Sequence, residues 1–234
     1  LDFLEPGGAI TGELLPTGNS IDVLETPTMG EVKASIVDAA ALCVLVEAQT
    51  VGLNGDELPA DLEAKPNILR LLQEVRAAAA VKLGLLDSME EALAQTTNKP
   101  SVGFVSAAQA ATTLTGDGLS ADDGDVTVRM ISMGDPHRAL PGTCSTCLAV
   151  ASQIEGTLVQ NNTRPGENGN VRLMHPSGVL HAAANVEREG NGWFVQKASF
   201  YRTQRRLFDG FVYLSAAVVP KYRTYLEGLA EAAE

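Results

Sequence analysis

The sequence predicts an α+β fold in which one buried helix is surrounded by many antiparallel strands. Three observations predict it. Short runs with period-two alternation recur along the chain, separated by turn residues. One segment, Thr143 to Gln153, is small and apolar all round, which is how a helix enclosed by a sheet reads. The 234 residues are 45% hydrophobic and 20% charged, a composition of folded globular chains and too apolar for a disordered one.

Each element follows from local pattern. Glu31 to Val37 alternates with period two and Leu42 to Val46 continues it after a short break, which predicts a hairpin or bent strand pair. Pro66 to Gly84 is the clearest helix. Proline suits its first turn, Ile68, Leu71, Leu72 and Val75 form an apolar stripe, and Gly84 supplies a stop. The polar, glycine-rich stretch Thr115 to Asp125 reads as a loop that leads into a strand at Val126 to Ile131. After the buried helix, strands are predicted at Thr157 to Val159, Val171 to Met174, Val179 to Ala183 and Trp193 to Ala198, with a polar loop from Asn161 to Asn170. Pro220 to Glu234 reads as a surface helix with Tyr222, Tyr225, Leu226 and Leu229 on one side.

Charge and cysteine use exclude several function classes. Seventeen Lys and Arg stand against 29 Asp and Glu, a formal net charge of -12 that a phosphate backbone repels, so no nucleic-acid partner is expected. No apolar stretch approaches the roughly 20 residues of a membrane helix, and the first residues lack the pattern of a signal peptide. Three cysteines, Cys43, Cys144 and Cys147, form no disulfide framework, which points to a cytoplasmic protein. The single C-x-x-C pair has no second pair, and His137, His175 and His181 lack zinc-finger spacing, so no metal site is predicted.

Four turns concentrate small and polar residues. Pro16-Thr17-Gly18-Asn19 is a tight turn that offers Thr and Asn side chains and backbone N–H groups. Ser132-Met133-Gly134, with His137 and Arg138 close behind, places carboxylate-binding types beyond a strand end. Gly142-Thr143-Cys144-Ser145-Thr146 opens the buried helix, where unpaired N–H groups and the helix dipole attract anions and favour a thiolate. The predicted ligand is an anion on the N–H groups of Cys144, Ser145 and Thr146. His175-Pro176-Ser177-Gly178 is a strand-connecting turn. Ordinary turns, an N-cap and small packing residues would give the same patterns. There is no G-x-S-x-G elbow, P-loop, G-x-G-x-x-G or H-E-x-x-H.

The four turns in this order, with LDFLEPGGAITGELLPTGNSIDVL, LNGDEL, VKLGLL, KPSVGFV, ISMGDPHRALPGTCSTCLAVASQIEGTLV, VRLMHPSGVL and RTQRRLFDGFVYL, resemble the PrpF family. The resemblance runs from Leu1 to about Leu214. It implies a diaminopimelate epimerase-like domain, a curled, mostly antiparallel sheet around a central helix. It also implies an isomerase that moves a proton, and with it a double bond, in a small unsaturated polycarboxylate without a cofactor. Thr17, Gly18, Asn19, Ser132, Met133, Gly134, His137 and Gly142 to Thr146 would then face the substrate.

The match is to the C-terminal part of family members, and their proton-moving Lys and Cys lie in an N-terminal domain. No catalytic residue is therefore assigned on this chain. The resemblance divides the chain into a domain at 1–198, a segment at 199–218 that in the family crosses back towards the N-terminal domain, and a helical extension at 219–234. Apolar surface is expected around Phe200, Leu207, Phe211 and Tyr213, to be covered in a homo-oligomer or by a separate N-terminal domain. Where many relatives read Asp-Ala-Gly-x-Pro, this chain reads Asp38-Ala39-Ala40-Ala41-Leu42, which implies an altered cleft. A truncated member recruited to a cyclisation or rearrangement, and a non-catalytic binding or scaffold protein, are the competing readings.

Overall fold

The computed structural model describes residues 1–95, 97, 99–164, 166, 169–190, 192–203, 205–213, 215, 219, 220 and 222–225. Two compact units divide it, Leu1–Tyr201 and Arg202–Glu234.

The first unit begins with strands β1 (Asp2–Leu4), β2 (Asp22–Thr26), β3 (Gly30–Ala39) and β4 (Ala41–Glu47). Helices α1 (Pro59–Glu63), α2 (Pro66–Lys82) and α3 (Met89–Ala94) follow. Strands β5 (Ser101–Ala107), β6 (Ala111–Thr112), β7 (Gly118–Leu119), β8 (Val126–Ser132) and β9 (Asp135–Pro136) come next. Then come α4 (Gly142–Ala151), α5 (Leu158–Asn162), β10 (Asn170–His175), β11 (Gly178–Glu189) and β12 (Gly192–Phe200). The main sheet runs β1-β12-β11-β10-β8-β5-β4-β3-β2. Its pairs are antiparallel except β4 with β5 and β8 with β10.

The sheet closes on itself. A bridge between Gly7 and Ala39, with Ala40 N–H donating to Pro6 O at 2.9 Å and Gly8 N–H to Asp38 O at 2.8 Å, ties the chain after β1 to the end of β3. The ring so formed encloses α4, which explains a helix with no polar face: every residue from Cys144 to Ala151 is buried. Period two then sorts β3 and β4 into two cores. Val37, Ala39, Cys43 and Leu45 face α4 inside the ring, while Ala34, Ile36, Leu42, Val44 and Val46 pack outside with Leu71, Leu72, Val75 and Ala79 of α2. A strand buried on both faces reads as a continuous apolar run, which Leu42 to Val46 is.

Helix α2 has Pro66 at its start and ends in a Schellman motif. Gly84, at φ 67°, donates to Val81 O at 2.9 Å, and Leu85 N–H donates to Ala80 O at 2.9 Å.

Two sequence expectations are corrected. The strand expected at Thr157 to Val159 is the start of α5: Thr157 is its N-cap, accepting from Gln160 N–H, and its hydroxyl donates to Ala151 O at 2.7 Å. A short apolar run does not distinguish strand from helix, and the cap decides. The loop from Thr115 to Asp125 contains β7 and a 3₁₀ turn at Ala121–Asp123 held by a Ser120–Asp123 capping box.

In the second unit, residues 219, 220 and 222–225 are helical, and the remainder of the expected helix, 221 and 226–234, lies outside the described residues. So do 165, 167 and 168 of the expected polar loop. Leu207, Phe208, Phe211 and Tyr213 are exposed, whereas Phe200, expected with them at the surface, is the buried last residue of β12. No helix among the described residues is long and apolar enough to cross a membrane.

Candidate functional site

The first turn of α4 is the least capped point of the inner core. Pro141 occupies the N-cap and has no side-chain acceptor, so the turn receives no capping hydrogen bond. The first helical bond is Ser145 N–H to Pro141 O at 2.9 Å, which leaves the N–H groups of Gly142, Thr143 and Cys144 as those without an intrahelical partner. The N–H groups without an intrahelical partner thus lie two residues nearer the N-terminus than the Cys144–Thr146 set expected from the sequence. The Ser145 hydroxyl donates to Pro141 O at 3.0 Å and the Thr146 hydroxyl to Gly142 O at 3.2 Å, so both buried hydroxyls are satisfied inside the helix. Thr143 is exposed, while Cys144, Ser145 and Thr146 are buried.

Phe200 packs on this turn, and the loop that feeds it, with the β8–β9 hairpin before it and the β10–β11 turn bound to it, carries the other expected residues. The β8–β9 hairpin turns on Met133 (φ 54°) and Gly134 (φ 95°), the pair of left-handed residues that a two-residue I′ turn requires. Met133 is exposed and Ser132 half-buried. His137 N–H donates to Met130 O at 2.8 Å, and its Nδ1 accepts Ala139 N–H at 3.1 Å. In the neutral ring the proton then sits on Nε2. His175 is fixed in the same way, Nδ1 accepting Ser177 N–H at 3.1 Å, and the Ser177 hydroxyl donates to Arg138 O at 2.6 Å. That bond joins the turn between β10 and β11 to the loop that feeds α4. Phe200 completes the wall: it stacks on Phe3 with centroids 6.1 Å apart and presses on Gly142.

Thr17, Gly18 and Asn19 lie elsewhere. The Thr17 hydroxyl donates to Asp22 Oδ2 at 2.6 Å and Asn19 Nδ2 to Asp22 Oδ1 at 3.3 Å, while Lys82 Nζ is 3.5 Å from the same carboxylate. The next residue, Ser20, adjoins Gly156 and accepts the Ser35 hydroxyl at 2.6 Å. The turn thus stands beside the chain that follows α4, at the opposite end from Gly142. LNGDEL is likewise a structural knot. Asn54 and Gly55 N–H groups bind the Glu57 carboxylate, and buried Arg129 donates Nε to Glu57 O at 2.6 Å. Burial lowers the Arg129 pKa to about 10.

Sequence reasoning named Asp38, Phe200 and Cys43 but none of the contacts they make, and it missed Ser101. Asp38 is buried and collects Ile10 N–H (2.8 Å), Thr11 N–H (2.6 Å) and the Thr11 hydroxyl (2.8 Å) on one oxygen, shaping the loop that closes the ring. Cys43 and Ser101 are paired neighbours on β4 and β5, and Cys43 lies in the same inner core as Cys144. These contacts are tertiary, between residues far apart in sequence, and no local pattern marks them. No group of three His, Cys, Asp or Glu among the described residues has the geometry to hold a metal ion.

The PrpF protein family matches residues 1–215. The chain belongs to the PrpF family. This PrpF chain is 36% identical over 219 residues to the 3-methylitaconate isomerase of Eubacterium barkeri, covering 93% of this chain and 56% of that protein. It is 34% identical to the 2-methyl-aconitate isomerase of Shewanella oneidensis, covering 91% and 54%. The crystal structure of a methylitaconate-delta-isomerase superposes with a TM-score of 0.76 at 33% identity, over 86% of this chain and 53% of that one. The curled sheet around a central helix is therefore a PrpF fold, and the chain spans about half the length of the relatives it matches.

Proposed function

We propose that this chain supplies the substrate-holding half of a cofactor-independent, PrpF-type isomerase of small unsaturated polycarboxylates. The observation that carries the reading is the uncapped first turn of α4, whose Gly142, Thr143 and Cys144 N–H groups have no intrahelical partner. Its setting is a family whose named members isomerise methylitaconate and methylaconitate.

The chemistry fits such a site. Moving a double bond means removing a proton from a carbon conjugated through the alkene to a carboxylate, so negative charge spreads onto the carboxylate oxygens. Fixed N–H donors and a helix dipole stabilise that charge as it grows, and do so without reorganising. Met133 and Gly134 supply the turn that rims the site, and Nε2–H of His137 is a donor suited to a second carboxylate. The buried side chains of Cys144, Ser145 and Thr146 hold the turn in shape and leave backbone groups to meet the ligand. In this reading Thr17, Gly18 and Asn19 are a structural turn. The proton-moving Lys and Cys come from the part of the family members that this chain does not span, in a cytoplasmic assembly with a second domain or subunit.

The test is proton NMR of the purified chain with cis-aconitate in D2O, alone and after addition of the N-terminal domain of a relative. The reading expects binding without turnover by the chain alone, and deuterium uptake with double-bond migration once the second domain is present. Absence of binding by the chain contradicts it.

A further inference from the structure

The ladder between β1 and β12 stops early. Strand β1 pairs with Lys197, Ala198 and Ser199, and one more bond, Glu5 N–H to Gln196 O at 3.0 Å, ends it. Glu5 then turns at φ 45°, Pro6 has no N–H to continue the ladder, and Gly7 pairs with Ala39 instead. Gly192 to Val195 pair with β11 on one side, and among the described residues no strand lies on the other. The result is a free edge of Gly, Trp, Phe and Val, without the Lys or Pro that usually blunts one.

A cleft of about 250 Å³ adjoins this edge, lined by Glu5, Glu13, Leu14, Trp193, Phe194 and Val195 among others. Leu14 and Val195 are buried and Trp193 is half-buried, which gives the cleft an apolar side. Trp193 is held by Arg188, stacked 4.6 Å from the ring centroid and paired in turn with Glu155 at 3.1 Å. The Arg188 charge is thereby used. The carboxylates of Glu5 and Glu13, by contrast, have neither a cation nor a hydrogen-bond donor among the described residues. Space is open at Gly12, where an added Cβ would meet no atom within 4 Å. None of these residues takes part in the substrate site proposed above.

We propose that the Gly192–Val195 edge is a docking site for an extended, basic segment of a partner protein, which joins the sheet as a strand beside β12. Unpaired main-chain N–H and C=O groups of the edge bind the partner's backbone and supply affinity. The cleft supplies selectivity: alternate apolar side chains of the partner meet Leu14 and Val195, and its Lys or Arg side chains meet Glu5 and Glu13. Charge also decides against a second copy of the chain as the occupant. Two copies joined edge to edge would bring their unneutralised carboxylates together, on chains that each carry a net charge of -12.

Trp193 is the one tryptophan of the chain, so intrinsic fluorescence reports on this cleft. The experiment titrates the full chain, at low salt, with the peptide acetyl-TVKVRVT-amide and with its acidic counterpart acetyl-TVEVEVT-amide. The expected result is a saturable change in Trp193 emission with the basic peptide and none with the acidic one. Amides on the Trp193–Val195 edge should gain protection from hydrogen exchange in the complex. Backbone N-methylation of the basic peptide at alternate residues should abolish binding in one phase and preserve it in the other, because a strand presents alternate N–H groups to one neighbour. The Glu5→Gln/Glu13→Gln variant should bind the basic peptide about fivefold more weakly, as two exposed ion pairs are lost. Unchanged emission with the basic peptide overturns the proposal. So do equal binding of the acidic peptide, the same effect in both N-methylation phases, or a self-associated chain whose Trp193–Val195 amides are already protected.

Discussion

Gly142 and Phe200 are in direct contact: a Cβ placed at position 142 would lie 2.6 Å from Cζ of the Phe200 ring. The glycine at the helix start is therefore a packing requirement, because β12 ends with an aromatic ring laid across that turn. Gly142→Ala should destabilise the chain by about 1–3 kcal/mol through overpacking. Shortening the ring in Gly142→Ala/Phe200→Leu should recover part of that loss beyond additivity. Urea denaturation of the two single variants and the double variant measures the coupling.

Ala40 sits at φ 60°, at the turn where many relatives carry glycine by resemblance. A left-handed alanine costs about 1–2 kcal/mol relative to its right-handed form, and glycine gives back part of that as unfolded-state entropy. Ala40→Gly should therefore stabilise the chain by about 1 kcal/mol. A higher urea midpoint at unchanged slope is the expected observation.

Asp38 holds the ring-closing loop by three bonds to a single carboxylate oxygen. Asp38→Ala should cost about 3 kcal/mol, since hydrogen bonds to a charged group are worth more than neutral ones. Hydrogen exchange should show Ile10 and Thr11 amides losing protection while the α2 amides keep theirs.

How much of this was legible in the sequence depends on the range of the interaction. The β3–β4 hairpin, α2 with its Pro66 start and Gly84 stop, and α4 as a helix without a polar face all follow from local pattern. So does the family resemblance, which rests on the order of many weak motifs. Ring closure through Gly7 and Ala39 is a tertiary contact that no periodicity encodes. The same holds for Phe200, whose burial depends on Gly142, and for Thr17 and Asn19, whose polar groups are used by Asp22. Turn chemistry identified Thr17 to Asn19 as polar but did not show at which end of α4 they lie.

Asp125 links β8 to β10 by accepting Arg172 N–H at 2.7 Å and Arg172 Nη2 at 2.7 Å. Burial favours the neutral acid, but the hydrogen bonds and charge of Arg172 outweigh it and hold the pKa below the ordinary carboxylate value. Because the folded pKa is depressed, the interaction contributes fully above the unfolded value of about 3.9 and is lost as pH falls through the folded one. Asp125→Asn should destabilise the chain by about 1–3 kcal/mol at neutral pH and flatten the acid limb of stability below about pH 4. Thermal melts of both proteins between neutral and acid pH read this directly.

The central claim is that the start of α4 holds a carboxylate, and amide chemical shifts report on it most directly. In a two-dimensional NMR titration of the chain with cis-aconitate, the amides of Gly142, Thr143 and Cys144 should shift together and saturate, with Met133 and Gly134 following. Shifts that leave those five amides unmoved, or that map instead to the Thr17–Asn19 turn at the far end of the helix, would contradict it.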